Sequence, residues 1–149
     1  MQTILLTNFA ATWFLVGLIW IIQIVHYPLF ANVGQQQFEL YSNKHQMLIT
    51  FIVGPVMVAE ILTAIILAWY APYPELTTWF RIGLMLVILI WLSTAFIQVP
   101  QHSRLTNSGY DHATIKALVN WNWIRTIAWT ARGAILLIVL NHFLSKTAN

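Results

Sequence analysis

Four long apolar stretches alternate with short polar ones along this chain, and each apolar stretch is about as long as a helix must be to cross a bilayer. They run from about Ile4 to Val25, Leu48 to Trp69, Trp79 to Val99 and Leu118 to Leu144. A spanning helix needs roughly 20 mostly apolar residues, because no water is present in hydrocarbon to satisfy the backbone. Tyr70 to Pro74 (Tyr-Ala-Pro-Tyr-Pro) is a stop between the second and third stretches. Pro55 follows Gly54 inside the second and is expected to kink it. Phe38, Tyr41, His45 and Ile49 fall at helical spacing, so the second helix is expected to start in the interface, ahead of its apolar run. Short connections force neighbouring helices to be antiparallel, which predicts an all-α, up-down-up-down four-helix membrane bundle.

Composition supports the same reading. Of 149 residues, 59% are hydrophobic and 7% charged. The mean hydropathy is +0.71. A soluble domain carries about a quarter charged residues, so this chain is expected to form one membrane domain over residues 1–149, with the lipid bilayer as its main partner. A homo-oligomer is compatible with the pattern. There are no cysteines, which excludes disulfides, thiolate ligands and thiol nucleophiles. A formal charge of +3 is too small and scattered for nucleic acid. The first stretch has neither a basic leader nor a small-residue cleavage site and reads as a retained span. Lys44, Arg104 and Lys116 fall in the two longer loops, against Arg81 and Lys146 on the other side. The positive-inside rule then places those loops in the cytoplasm and both termini outside the cell (inner) membrane.

The topology gathers polar groups at the end of the longer loops. His26 closes the first span, His45 opens the second and His102 closes the third. Asn122 and Arg125 open the fourth, with His112 in the adjoining loop. Imidazole is the commonest ligand for zinc, copper and non-haem iron, so His26, His45 and His102 form a candidate metal site. The competing reading is three interfacial histidines hydrogen-bonded to loop carbonyls. Gln23 and His26, and Gln98 and His102, share helix faces. The glutamines could fix a histidine ring, glue helices together or, for Gln98, contact a substrate. Both pairs precede a loop containing a glycine, Gly34 or Gly109, which faintly suggests two related halves.

Glu60 and Arg132 lie deeper, at matched depth on the second and fourth spans. A lone charge at mid-bilayer costs about 3 kcal/mol, so the two are expected to pair. Asn122, Arg125, Trp129 and Arg132 recur at helical spacing and form one inward polar stripe. An anionic or quinone-like substrate would be met by Arg125, with Trp121 or Trp129 as a flat wall. Gly83 and Gly133 read as packing contacts. No nucleotide-binding glycine loop, serine triad or kinase motif is present.

The Pro-x-His element closing the third span (Pro100, Gln101, His102) and the Asn-x-x-Arg opening the fourth (Asn122 to Arg125) resemble the anthrone-oxygenase-like family of small integral membrane proteins. That resemblance implies His102, Asn122 and Arg125 as site residues and oxidation of anthrones to anthraquinones. The combined expectation is an oxygenase or oxidase acting on a small apolar, aromatic or quinone-like molecule. In it His26, His45 and His102 hold iron, copper or zinc, Arg125 and Asn122 stabilise oxyanion charge, and Trp121, Trp129 and Gln98 contact substrate. The alternatives are a haem-binding electron carrier, with two of the histidines axial, and a non-catalytic membrane subunit or small carrier.

Overall fold

The computed structural model describes residues 1–71 and 73–147, so Pro72 of the expected stop, together with Ala148 and Asn149, lies outside the described residues. Among the described residues, four helices are each long and apolar enough to cross a membrane: α1 (Gln2–Asn32), α2 (Gln35–Trp69), α3 (Pro74–Ser108) and α4 (His112–Lys146). They pack as an all-α four-helix bundle, and the chain is a membrane protein. Contacts between α1 and α2 run in opposite senses, with Asn8 on Thr63 and His26 on His45. The same holds between α3 and α4, where Tyr73 lies on Phe143 and Gly83 beside Arg132.

Every helix outruns its apolar stretch, and it does so mainly at one end. α1 continues past Val25 to Asn32, α2 begins at Gln35 rather than Leu48, α3 continues past Val99 to Ser108, and α4 begins at His112 rather than Leu118. At 1.5 Å per residue, a helix of 35 residues is about 50 Å long, against about 30 Å of hydrocarbon. The surplus forms a helical cap beyond one membrane face. Aromatic packing fastens it: Phe30 and Phe38 are fully buried, and Phe30 meets Tyr27, Phe38, Tyr41 and His45 edge-on. The early start of α2 expected from Phe38, Tyr41, His45 and Ile49 is therefore real.

The spans do not end before Pro28 and Pro100. A proline ring lacks a donor and clashes with the carbonyl four residues back, so an ordinary helix would stop or kink there. Instead each helix widens by one residue in the preceding turn. Tyr27 N–H reaches Ile22 C=O in α1, and Val99 N–H reaches Thr94 C=O in α3. These single π turns, Ile22–His26 and Thr94–Gln98, stand at the same distance ahead of their prolines. That register matches His26 with Gln98 and leaves Gln23 opposite Ala95. The repeat suggested by Gln23–His26 and Gln98–His102 is thus not the one the backbone keeps. α2, by contrast, runs unbroken through Pro55. Asp111 caps α4, accepting from the Ala113 and Thr114 amides at 3.2 and 3.1 Å. Hydrogen bonds from the Thr114 hydroxyl and then its amide hold the Asp111 carboxyl below the usual carboxylate range.

A polar knot ties the helices at mid-depth. Glu60 and Arg132, 0% and 2% exposed, pair at 3.0 Å as the sequence predicts. Glu60 also accepts from Thr12 at 2.7 Å and from the Trp129 indole at 3.1 Å. Arg132 donates further to Thr12 at 3.2 Å and to Asn8 Oδ1 at 2.8 Å. Asn8 in turn donates to the Glu60 carbonyl and to Thr63. Three helices thus share one network, and each oxygen of the Glu60 carboxylate has at least one donor. α3 contributes space: a Cβ on Gly83 would lie 2.8 Å from Arg132 Nη1. Gly133 similarly lets α4 close on Trp13 and Val16 of α1. Both glycines are the packing contacts expected. Because Arg132 is held by Glu60, Thr12 and Asn8, it cannot yield freely. Gly83→Ala is expected to destabilise the bundle by about 1–3 kcal/mol. Thermal denaturation in detergent checks this; an unchanged midpoint would contradict the fixed guanidinium.

Candidate functional site

The capped end of the bundle holds a second set of polar groups, and these are not fully satisfied. The π turn of α1 places Gln23, His26 and Tyr27 on three different neighbours. Gln23 faces α4: it donates to the Val119 carbonyl at 3.1 Å and accepts from Asn122 at 2.8 Å and Thr126 at 3.2 Å. Of its alternatives, helix glue is the one realised. His26 faces α2, where its Nε2 lies 2.9 Å from His45 Nδ1. Tyr27 faces α3, its hydroxyl 2.9 Å from His102 Nε2. Gln46 of α2 closes the ring of helices by donating to the His102 carbonyl at 2.9 Å and contacting the Thr106 hydroxyl.

Below Tyr27 and His102 lies a cavity of about 250 Å³, bounded by all four helices. Ile22 and Tyr27 come from α1, and Gln46, Ile49, Val53, Gly54 and Met57 from α2. Trp91, Thr94, Gln98 and His102 come from α3, and Arg125 from α4. Most of this lining is apolar, as in sites that bury small molecules. Several of its polar atoms are conspicuous because they lack partners. Both amide atoms of Gln98, the Trp91 indole nitrogen, His102 Nδ1 and Arg125 Nε are buried without a hydrogen bond. Arg125 is 6% exposed, lies over the Trp129 ring at 5.1 Å and sits beside the Tyr27 hydroxyl. Among the described residues it has no carboxylate partner. A buried cation with no anion is expensive, and native interiors leave few polar groups unpaired. Several such atoms around one cavity describe a place for a ligand.

The structure distributes the expected site residues unevenly. Arg125, Gln98 and His102 line the cavity together. His26 and His45 stand next to it, with ring centroids 4.5 Å apart, and His45 lies 5.7 Å from His102. The three histidines do gather at one level, yet their donor atoms do not converge. His26 and His45 spend facing nitrogens on each other, and His102 spends one on Tyr27. Among the described residues no group of three His, Asp or Glu side chains is arranged to hold a metal. Asn122 is buried and held by Gln23 rather than lining the cavity. Trp129 is buried in the Glu60 knot and reaches the site only through Arg125, while Trp121 is 50% exposed on the outer surface. His112 is exposed at the start of α4.

The sequence pattern did not single out Tyr27, Gln46, Trp91, Asn8 or Thr12. Asn8 and Thr12 carried a readable signal, since two polar residues four apart share one face of an otherwise apolar helix. Compared with protein-family models, with curated proteins and with solved structures, the chain gives no match.

Gln98 supplies a test of the unpartnered amide. A buried amide without partners costs roughly 1–3 kcal/mol, so Gln98→Leu is expected to raise the thermal midpoint of the ligand-free protein while weakening ligand binding. A lowered midpoint would show that the amide has structural partners after all.

Proposed function

We propose that this cavity binds a small, planar, largely apolar molecule carrying one acidic oxygen, and that Tyr27 and His102 move a proton on or off it. The observation that carries this reading is Arg125: a buried guanidinium with no carboxylate partner among the described residues, whose Nε is unpaired. An enolate, phenolate or carboxylate oxygen would complete it, and the charge would gain most where water is excluded. His102 is suited to the proton transfer. When its Nε2–H donates to Tyr27, Nδ1 carries a free lone pair, and Nδ1 is the ring atom without a partner.

The resemblance to anthrone oxygenases gives this chemistry a direction. In oxidation of an anthrone-type methylene by dioxygen, two C–H bonds break and one C=O forms. One oxygen atom enters the product, and the other leaves as water with both hydrogens. The step available to this chain's residues is the first one, removal of a methylene proton by His102, with the resulting enolate charge held at Arg125. A metal-dependent form of the reading is favoured by the gathering of His26, His45 and His102, each of which keeps one ring nitrogen outside these hydrogen bonds, and requires the rings to turn toward a common point. Iron, copper or zinc would then take those histidines; haem would take two of them.

Purified protein in lipid nanodiscs is expected to convert anthrone to anthraquinone with matching oxygen uptake. Arg125→Met and His102→Ala should each reduce the rate by about a hundredfold or more, in line with loss of an oxyanion donor or a general base. Wild-type activity equal to buffer would remove the oxidase reading. Activity that follows bound metal or a Soret band would replace the proton-transfer reading with a metal one.

We also propose that the capped end lies on the cytoplasmic side of the cell (inner) membrane. Lys44, Arg104 and Lys116 are exposed there, against Arg81 and Lys146 at the other end. A reporter active only in the cytoplasm should stay silent when fused after Asn149; an active fusion would reverse the orientation.

A further inference from the structure

The inner cavity is not sealed on all sides, and it opens on the outer surface of the bundle, at the capped-end limit of the apolar stretches of α2 and α3. Two of its lining residues, Thr50 of α2 and Val99 of α3, are also exposed on the outer surface of the bundle, Val99 at 53%. A residue that lines a cavity and also faces outward marks a place where the two surfaces meet. The cleft between them is built by two local features. On α3 it is the π turn Thr94–Gln98, of which Thr94 and Gln98 line the cavity. On α2 it is Gly54, where an added Cβ would meet nothing within 4 Å. Toward the capped end the same two helices are closed. Ser42 meets Thr106 at 3.3 Å, and Gln46 binds the His102 carbonyl and the Thr106 hydroxyl. Above them, Phe30 and Phe38 fill the space without exposure. Between α2 and α3 the path toward the capped end is therefore plugged by hydrogen bonds and aromatic rings, whereas the outward path between Thr50 and Val99 is not.

We propose that the cavity is loaded sideways from the bilayer, through the α2/α3 cleft between Thr50 and Val99, and that its ligand is an amphiphile dissolved in the membrane. This rests on the reading that the cavity binds an acidic aromatic molecule at Arg125. The geometry fixes how such a ligand lies: the acidic oxygen leads, toward Arg125, and the opposite end of the ring trails in the cleft. An alkyl tail at that trailing end projects into lipid and is tolerated, because no protein wall faces it there. A cavity of about 250 Å³ has room for a small ring system but not for a long tail as well, so the cleft extends the range of ligands to tailed aromatics. A second groove, about 370 Å³, lies between α1 and α2 and includes Ile52 and Lys44. It shares Ile22 and Ile49 with the inner cavity and is the competing lateral route.

The test uses the full-length protein in phosphatidylcholine nanodiscs, with para-octylbenzoate as the tailed anionic probe and benzoate as its tailless counterpart. Association is followed by tryptophan emission, since Trp91 lines the cavity. Thr50→Phe combined with Val99→Phe narrows the cleft at two outward-facing positions. It is expected to slow octylbenzoate association by about tenfold or more. Ile52→Phe, on the other groove, should leave the rate unchanged. Octylbenzoate should also bind wild-type protein at least as tightly as benzoate. If the double variant misfolds, Gly54→Leu obstructs the same cleft from α2 and should give the same slowing. An unchanged rate in the cleft variants, or slowing by Ile52→Phe instead, overturns the route while leaving the cavity reading intact. Octylbenzoate that binds wild-type and Arg125→Met equally well, or binds neither, overturns the cavity reading and the route with it.

Discussion

A charge placed in hydrocarbon without a partner costs several kcal/mol, and this bundle is arranged around two answers to that constraint. The two charges are arginines on one helix, seven residues apart. Arg132 is paired with Glu60 and further held by Thr12 and Asn8, with Gly83 leaving room for its guanidinium. Arg125, two turns nearer the capped end, has an aromatic ring beneath it, a tyrosine hydroxyl beside it and, among the described residues, no carboxylate. The first arginine locks three helices in register. The second leaves an electrostatic demand unmet, and the cavity beside it is where a ligand would meet it.

The two prolines serve that division. Pro28 and Pro100 would each end a helix, but the π turn ahead of each carries the chain on into the cap. The extra residue in each turn also changes which side chains face inward. In α1 it distributes Gln23, His26 and Tyr27 among three partner helices; in α3 it leaves the Gln98 amide buried beside the cavity without partners. Wider turns at functional positions are a recurrent device. Here one local backbone solution, used twice, both builds the cap and furnishes the site.

Much of the architecture was legible in the sequence. Apolar length alone predicts four spanning helices, and matched depth predicts the contact between Glu60 and Arg132 because hydrocarbon allows few other outcomes. The gathering of His26, His45 and His102 was also legible, since helix ends in a closed bundle must meet. What their nitrogens do was not. Whether imidazoles converge on a common point or bond to one another depends on rotations that spacing does not encode, and the π turns shift those rotations by a residue. For the same reason Asn122 and Trp129, both on the inward stripe, turn out to serve Gln23 and Glu60 rather than the cavity. Tyr27 lies beyond the apolar stretch that ends at Val25, and only the continuation of the helix through Pro28 to Asn32 carries it into the bundle.

The central claim is that Arg132 is a structural charge and Arg125 a functional one, and the sign of a stability change separates them most directly. Arg132→Met leaves Glu60 buried without its cation and is expected to destabilise the ligand-free bundle by roughly 3–5 kcal/mol. Arg125→Met removes a buried charge that has no counter-ion, so the same measurement should give an unchanged or higher thermal midpoint. Loss of stability in both variants, of similar size, would mean that Arg125 is satisfied within the bundle and that the cavity has no charge to offer a ligand.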